Sequence, residues 1–400
     1  LIRKLLLDLS PLEIVAYASL YAFEYLVPSL ADQGSSGECR VDPLPAWRAI
    51  DDILTWKLET CDLEDLQLTD TRIGLSLKQH LSPFLFPSPG ESPTREDLYL
   101  GFCRLVDAQM ELNSFVSQSA EAFSYDDDLE FVLEEGRLEL VVRNPIGHAA
   151  WRRDDLKLAR LDAYWLCQGM EALAKSEELL AKVGRGNLEA NLQAFAKAKG
   201  THLRLQHVYG VADSVQTESG MTVDVFRSLL AMELMTVFFI VDFLRPYSEY
   251  LKQSGDAKMA LGRLAFDGLL QGGMQNRFPV TWSDKATKIE RIKSWTVSDG
   301  FPQGHPKGAE AILDFWTSDW TALAARLRKG EAGIQPELLE RPMLKMGRYL
   351  FQLPWMVALQ NNTTAAINNL RRVGSRRKEA GEEARRIEMR LAEEFARRGF

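Results

Sequence analysis

The chain carries few of the residue types that do chemistry on their own. Its 400 residues include only four cysteines and five histidines. Cys39, Cys61, Cys103 and Cys167 are widely spaced, with no CxxC pair and no histidine at zinc-ligand distance, which argues against a disulfide scaffold and a Cys/His metal cage. Reduced thiols in a cytoplasmic setting are the expectation. Long apolar runs are lacking too. A membrane helix needs about 20 uninterrupted apolar residues, and the two nearest approaches fail. Ile14 to Leu30 contains Glu24 and Pro28, and Leu229 to Leu244 contains Glu233 and Asp242. Each reads as a helix buried in protein, and no membrane partner is expected. The opening LIRKLLLDLSP has neither a signal cleavage site nor an initiator Met, so the numbering is expected to start inside a longer frame or after processing. Walker loop, HExxH helix and nucleophile elbow are all missing, and no cofactor is implied.

Aromatic residues are plentiful. Nine Trp, nineteen Phe and ten Tyr supply more buriable surface than a disordered chain carries. Most of the sequence has helical periodicity. Ser10-Pro11-Leu12-Glu13 is a capping box with Pro in the first turn, opening an apolar helix to about Val27. Further helices are expected at Pro45–Leu58, Thr94 to about Ala122, Asp154–Val183, Leu188–Gly200, Thr222–Leu251, Asp256–Leu270, Asp284–Lys293, Lys307–Lys329, Glu337–Arg372 with breaks at Pro342 and Pro354, and Arg376–Arg398. Four prolines between Ser82 and Pro93 mark a linker. Alternation around Glu134-Glu135-Gly136 predicts a hairpin over 129–142, and Thr201–Tyr209 alternates weakly as a strand. The expected fold is therefore mainly α, a large multi-helix body with one small β-hairpin. Its regions would be 1–81, 94–200 with the hairpin, 201–335, and a basic 336–400 that leads towards a further domain.

Candidate chemistry is sparse. His202 and His207 would lie on opposite faces of a strand, and His80, His148 and His305 sit in connectors or at a helix end, where a solvated or capping imidazole is the plain reading. Asp126, Asp128 and Glu134 cluster at the hairpin and are candidates for a hard-cation site; the alternative is a solvated acidic edge that discourages strand pairing. Glu233 and Asp242 are about 180° apart on their helix and cannot share a metal, so each is expected to meet an Arg across a helix interface. Trp316 and Trp320 read as neighbours one turn apart on a single amphipathic helix.

Charge is unevenly distributed. Residues 341–400 hold 13 Lys and Arg against 6 Asp and Glu, whereas the preceding residues hold 35 against 50. Two basic elements are candidates for nucleic-acid contact. One is Lys285, Lys288, Arg291 and Lys293 on a short helix flanked by Trp282 and Trp295. The other is Arg371, Arg372, Arg376 and Arg377, preceded by Asn361, Asn362, Asn368 and Asn369. Those amides either form an interhelical hydrogen-bond network or present edges to a polar ligand.

The helix RRIEMRLAEEFARRGF at 385–400, with Ala384, Ile387, Leu391 and Phe395 inward, resembles the helix leading into the first core strand of restriction-endonuclease-like (PD-(D/E)XK) nucleases. RPMLKMGRYLFQLPWMVALQNNTTAAINNLRR before it resembles the helical body preceding such a core in uncharacterised bacterial proteins. Across some sixty residues, this resemblance implies that a catalytic sheet lies beyond Phe400 and that these 400 residues are the non-catalytic body of a nuclease-associated protein, such as one of anti-phage defence. The leading expectation is thus a helical recognition or regulatory region contacting DNA or RNA through its basic C-terminal helices. The alternatives are a helical protein-interaction scaffold, hetero- or homo-oligomeric, and a metal-dependent hydrolase using the carboxylates of Asp126 to Glu135.

Overall fold

A computed structural model describes residues 9–26, 44–66, 94–124, 129–134, 137–146, 154–177, 188–239, 245–256, 259–260, 281–284, 306–330, 337–347, 349–352 and 361–372, with seven further positions between 385 and 397. Of these residues 76% are helical, so the fold is mainly α.

Ser10 caps α1 (Pro11–Tyr21) as its sequence dictates. Its hydroxyl accepts from the Glu13 amide, and Glu13 reaches back to the Ser10 amide at 2.7 Å. Every residue of α1 except Glu13 is buried, the pattern of a helix surrounded by protein. A π-helical turn, Ala22–Leu26, extends it. Then come α2 (Leu44–Thr60), a 3₁₀ turn at Leu63–Leu66 and α3 (Thr94–Ser124), followed by the hairpin of β1 (Leu129–Glu134) and β2 (Arg137–Val142). Helices α4 (Asp154–Ala174) and α5 (Leu188–Tyr209) pack together. A second hairpin, β3 (Ser214–Gln216) with β4 (Thr222–Asp224), leads into α6 (Val225–Phe239) and α7 (Arg245–Ser254). The chain continues through β5 (Thr281–Asp284), α8 (Pro306–Trp316), β6 (Thr317–Asp319), α9 (Trp320–Arg328) and α10 (Glu337–Glu340). It then forms β7 (Met343–Met346), β8 (Tyr349–Gln352) and α11 (Asn362–Arg372).

Two cores form, and they are not successive along the chain. The first joins α1, α2, α3 and α9 around Ile14, Tyr17, Leu54, Phe102 and Trp320. The second joins α5, α6, α8 and α11 around Phe195, Leu229, Met232, Trp316 and Leu370. A four-stranded sheet, order β5-β8-β7-β6, lies where they meet. Its β6–β7 pair is parallel and the other pairs are antiparallel. The period of two along β7 divides its side chains accordingly: Met343 belongs to the second core, Leu344 and Met346 to the first. Burying each such side chain is worth about 1.5–3 kcal/mol, so the sheet gains from both sides.

Several expectations are corrected here. Thr201–Tyr209 is helix, the second half of α5, because Ala198, Thr201, His202 and Leu205 continue the buried stripe of Ala194 and Phe195 at helical spacing. The boundary expected at 200–201 therefore falls inside a helix. The helix expected over Lys307–Lys329 is split by β6, where Asp319 caps α9 by accepting from the amides of Thr321 (3.0 Å) and Ala322 (3.3 Å). Trp316 and Trp320 thus flank a strand and anchor different cores. Glu337–Arg372 is not one broken helix: Met343–Gln352 forms a hairpin turning at Gly347, whose φ of 59° is the left-handed conformation glycine adopts freely. Thr222–Asp224, expected to open a helix, is strand β4.

Gly169 and Gly200 set the α4–α5 contact. A Cβ on Gly169 would lie 2.0 Å from the Ala196 carbonyl oxygen, and one on Gly200 would lie 2.2 Å from that of Trp165. The two backbones touch where neither residue has a side chain.

Candidate functional site

Helix α11 is tied to the second core by polar bonds. Asn369 is fully buried; its side-chain amide donates to the Phe315 carbonyl, and its Oδ1 accepts from Arg341 Nε at 3.0 Å. Arg341, itself buried, also lies 3.0 Å from Glu218 through Nη1. In the first turn of α11, the Thr363 and Thr201 hydroxyls are 3.0 Å apart. Asn362 Nδ2 donates to Glu233 Oε1 at 2.7 Å, and Asn361 accepts from the Thr364 amide at 3.1 Å as the cap. These bonds run from α11 to α5, α6, α8 and the segment before β7. The amide edges of Asn362 and Asn369 are spent inside the protein.

Glu233 was expected to meet an arginine; among the described residues it meets Asn362 instead. Burial pushes its carboxyl above the usual range, opposed by the Asn362 amide and by the charge of Lys197. An amide can bond a neutral carboxylic acid as well as a carboxylate, so burial does not force an ion pair. Asp242 lies outside the described residues.

The imidazole of His202 is buried on α5, with Nδ1 3.4 Å from Lys199 Nζ and Nε2 3.1 Å from Asp213 Oδ1. Burial, reinforced by the Lys199 charge, holds its pKa below 6.5. Lys199 also lies 5.3 Å from the centroid of the Phe226 ring. His207 stacks on Trp165 at 6.5 Å. In the first core, the π-turn presents Glu24 as acceptor from the Tyr99 hydroxyl. The adjacent Cys103 thiol is pushed up to about 11, chiefly by burial, and stays protonated and unreactive at neutral pH. Asp51, on α2, is wholly buried, and neither oxygen has a hydrogen-bond partner among the described residues. Desolvation, followed by the Asp52 charge, raises its pKa well above 3.8.

The distal part of α3 and the β1–β2 hairpin form a different kind of surface. Helix α3 has 31 residues, about 46 Å at 1.5 Å per residue. Tyr99, Phe102, Leu105 and Val106 bury it in the first core, and Asn113 bonds Asp52 at 2.6 Å. Beyond that point Phe115 and Val116 are 48% and 57% exposed. Phe115 meets Phe131 of the hairpin, centroids 6.1 Å apart. Alternation puts Phe131, Leu133, Leu140 and Val142 on one hairpin face and Glu130, Val132, Glu139 and Val141 on the other. The apolar face is only partly covered, and Leu133 is 71% exposed. This arm is strongly acidic: residues 107–143 contain ten Asp and Glu against two Arg.

The remaining candidates distribute as follows. Arg371 and Arg372 form the last turn of α11, so the basic run starts at the end of a helix anchored by Asn362 and Asn369. Asn368 lies on the same helix, half-buried. Arg376, Arg377, Lys285, Lys288, Arg291 and Lys293 lie outside the described residues, as do Asp126 and Asp128; Glu134 is exposed on β1. No group of three or more His, Cys, Asp or Glu side chains among the described residues is placed to hold a metal ion. No described helix is long and apolar enough to cross a membrane. Arg385, Glu388, Met389, Ala392, Glu393 and Ala396 are helical and exposed. Sequence reasoning did not single out Arg341, Asp51 or the Gly169–Gly200 contact; a polar residue between apolar neighbours was the available signal for Asp51.

No family model, curated protein or solved structure matches this chain.

Proposed function

We propose that this chain is a non-catalytic helical scaffold that docks a protein partner on its acidic arm. The observation that carries the reading is the uncovered apolar face of the β1–β2 hairpin and distal α3. Exposed apolar side chains on adjoining elements, rimmed by charge, make the kind of surface that protein interfaces use. The buried polar groups favour a structural part for the body: Asn362, Asn369 and Arg341 bond within the protein, and the Cys103 thiol is protonated. Titration with an apolar fluorescent dye tests the reading at high dilution. Wild type should bind dye, and Leu133→Ser with Val116→Ser, both at exposed positions, should reduce that binding without changing the melting temperature. Equal dye binding by the two proteins would overturn it.

A second reading is favoured by the start of the basic run at the anchored end of α11. Arg371, Arg372, Arg376 and Arg377 would contact phosphate in a nucleic-acid-processing assembly, against the acidic bulk of the chain. Fluorescence anisotropy with DNA and RNA at several salt concentrations tests it. Affinity should fall steeply with salt and vanish with Glu at those four positions; no binding at low salt would refute it.

A further inference from the structure

The arm's charge narrows what can dock there. Ten acidic residues against two basic ones over 107–143 oppose the pairing of two arms face to face, because like charges would be brought together as the apolar faces met. The occupant must pair an apolar stripe with positive charge. The same chain contains such a segment. Residues 371–378 hold Arg371, Arg372, Arg376, Arg377 and Lys378 with no acidic residue, and Ile387, Leu391 and Phe395 follow at four-residue spacing, one stripe of a helix. Within one chain the arm stays uncovered: Leu133 and Val116 are 71% and 57% exposed.

We infer that the acidic arm of one copy receives the basic C-terminal segment, residues 371–398, of a second copy. The inference rests on the reading of the arm as a docking surface and adds its occupant. Reciprocal exchange would close a two-fold dimer, and one-way exchange would build a chain of copies. Electrostatic attraction sets the register, and the stripe of Ile387, Leu391 and Phe395 covers the apolar hairpin face.

Sedimentation velocity of the full chain across a concentration series, at low and high salt, tests this with a charge swap. Asp107→Lys with Glu111→Lys reverses charge at exposed arm positions two turns and one turn before Phe115, on its side of α3, and Arg376→Glu with Arg377→Glu reverses the segment. Each pair of changes should weaken self-association roughly tenfold, as expected for two exposed ion pairs lost. The four changes together should restore it. Because the arm positions are exposed, these variants should melt with wild type. A wild type that stays monomeric at every concentration overturns the inference, as does self-association that the combined swap fails to restore. If the wild type is monomeric yet its dye binding still depends on Leu133 and Val116, the docking reading stands and only the second-copy occupant falls. If dye binding is also insensitive to them, both fall.

Discussion

Replacing Gly200 by alanine sets two effects of opposite sign against each other, and the structure decides between them. In a helix interior, alanine is favoured over glycine by about 0.8–1.0 kcal/mol. At Gly200 the added methyl would lie 2.2 Å from the Trp165 carbonyl oxygen and 2.8 Å from its carbon. Both atoms are helix backbone, so no rotamer change relieves the clash and α4 must move away from α5. Overpacking of a well-packed contact costs about 1–3 kcal/mol, occasionally more, and a rigid obstacle puts this case at the upper end. The net expectation is a loss of about 2 kcal/mol. Gly101, on α3, is the internal control: a Cβ there meets nothing within 4 Å. Gly101→Ala should therefore stabilise by up to about 1 kcal/mol through propensity alone. Urea denaturation followed by circular dichroism would read both variants against wild type. A Gly200→Ala protein as stable as wild type would refute the close-contact account of the α4–α5 pair.

Other expected outcomes concern buried polar groups. Asp51→Asn should stabilise the protein at neutral pH. A raised folded-state pKa favours the acid form, so the wild type's relative stability is fully present below 3.8 and declines as pH rises through the folded value. Paired melts from pH 3 to 8 should thus diverge in favour of Asn as pH rises; a pH-independent difference would contradict the assignment. Asn369→Ala leaves Arg341 and the Phe315 carbonyl each without this partner, at a cost of about 1–3 kcal/mol per unsatisfied group; a melt within experimental error of wild type would count against the network. His202 has the opposite sign to Asp51. Its depressed pKa makes its contribution complete above 6.5 and lost as pH falls, so His202→Gln should flatten the decline in stability between pH 7 and 5.

Much of the helical architecture is legible in the sequence because its signals are local. The Ser10–Glu13 box, the long periodic run from Thr94 and the hairpin turn at Glu134–Gly136 each depend on residues within a few positions of one another. What the sequence conceals is tertiary. Gly200 reads as a helix terminator, yet it lies inside α5 to let two backbones touch, and taking it as a stop made the next nine residues look like a strand. Met343–Gln352 was expected to be helical, yet a left-handed turn at Gly347 makes it a hairpin whose side chains divide between the two cores. The role of Asn369 depends on Arg341 and Phe315, 28 and 54 residues away. The arm was half legible: its hairpin and acidity are in the sequence, but the incomplete cover of its apolar face depends on where α3 leaves the first core.

That departure of α3 from the core is the central claim, and hydrogen exchange read by mass spectrometry tests it most directly. At high dilution, amides of residues 114–124 and of the hairpin should exchange orders of magnitude faster than those of α5 and α6, because little packing opposes their local opening. Protection of the arm equal to that of α5 would mean that the body covers it, and would contradict the account.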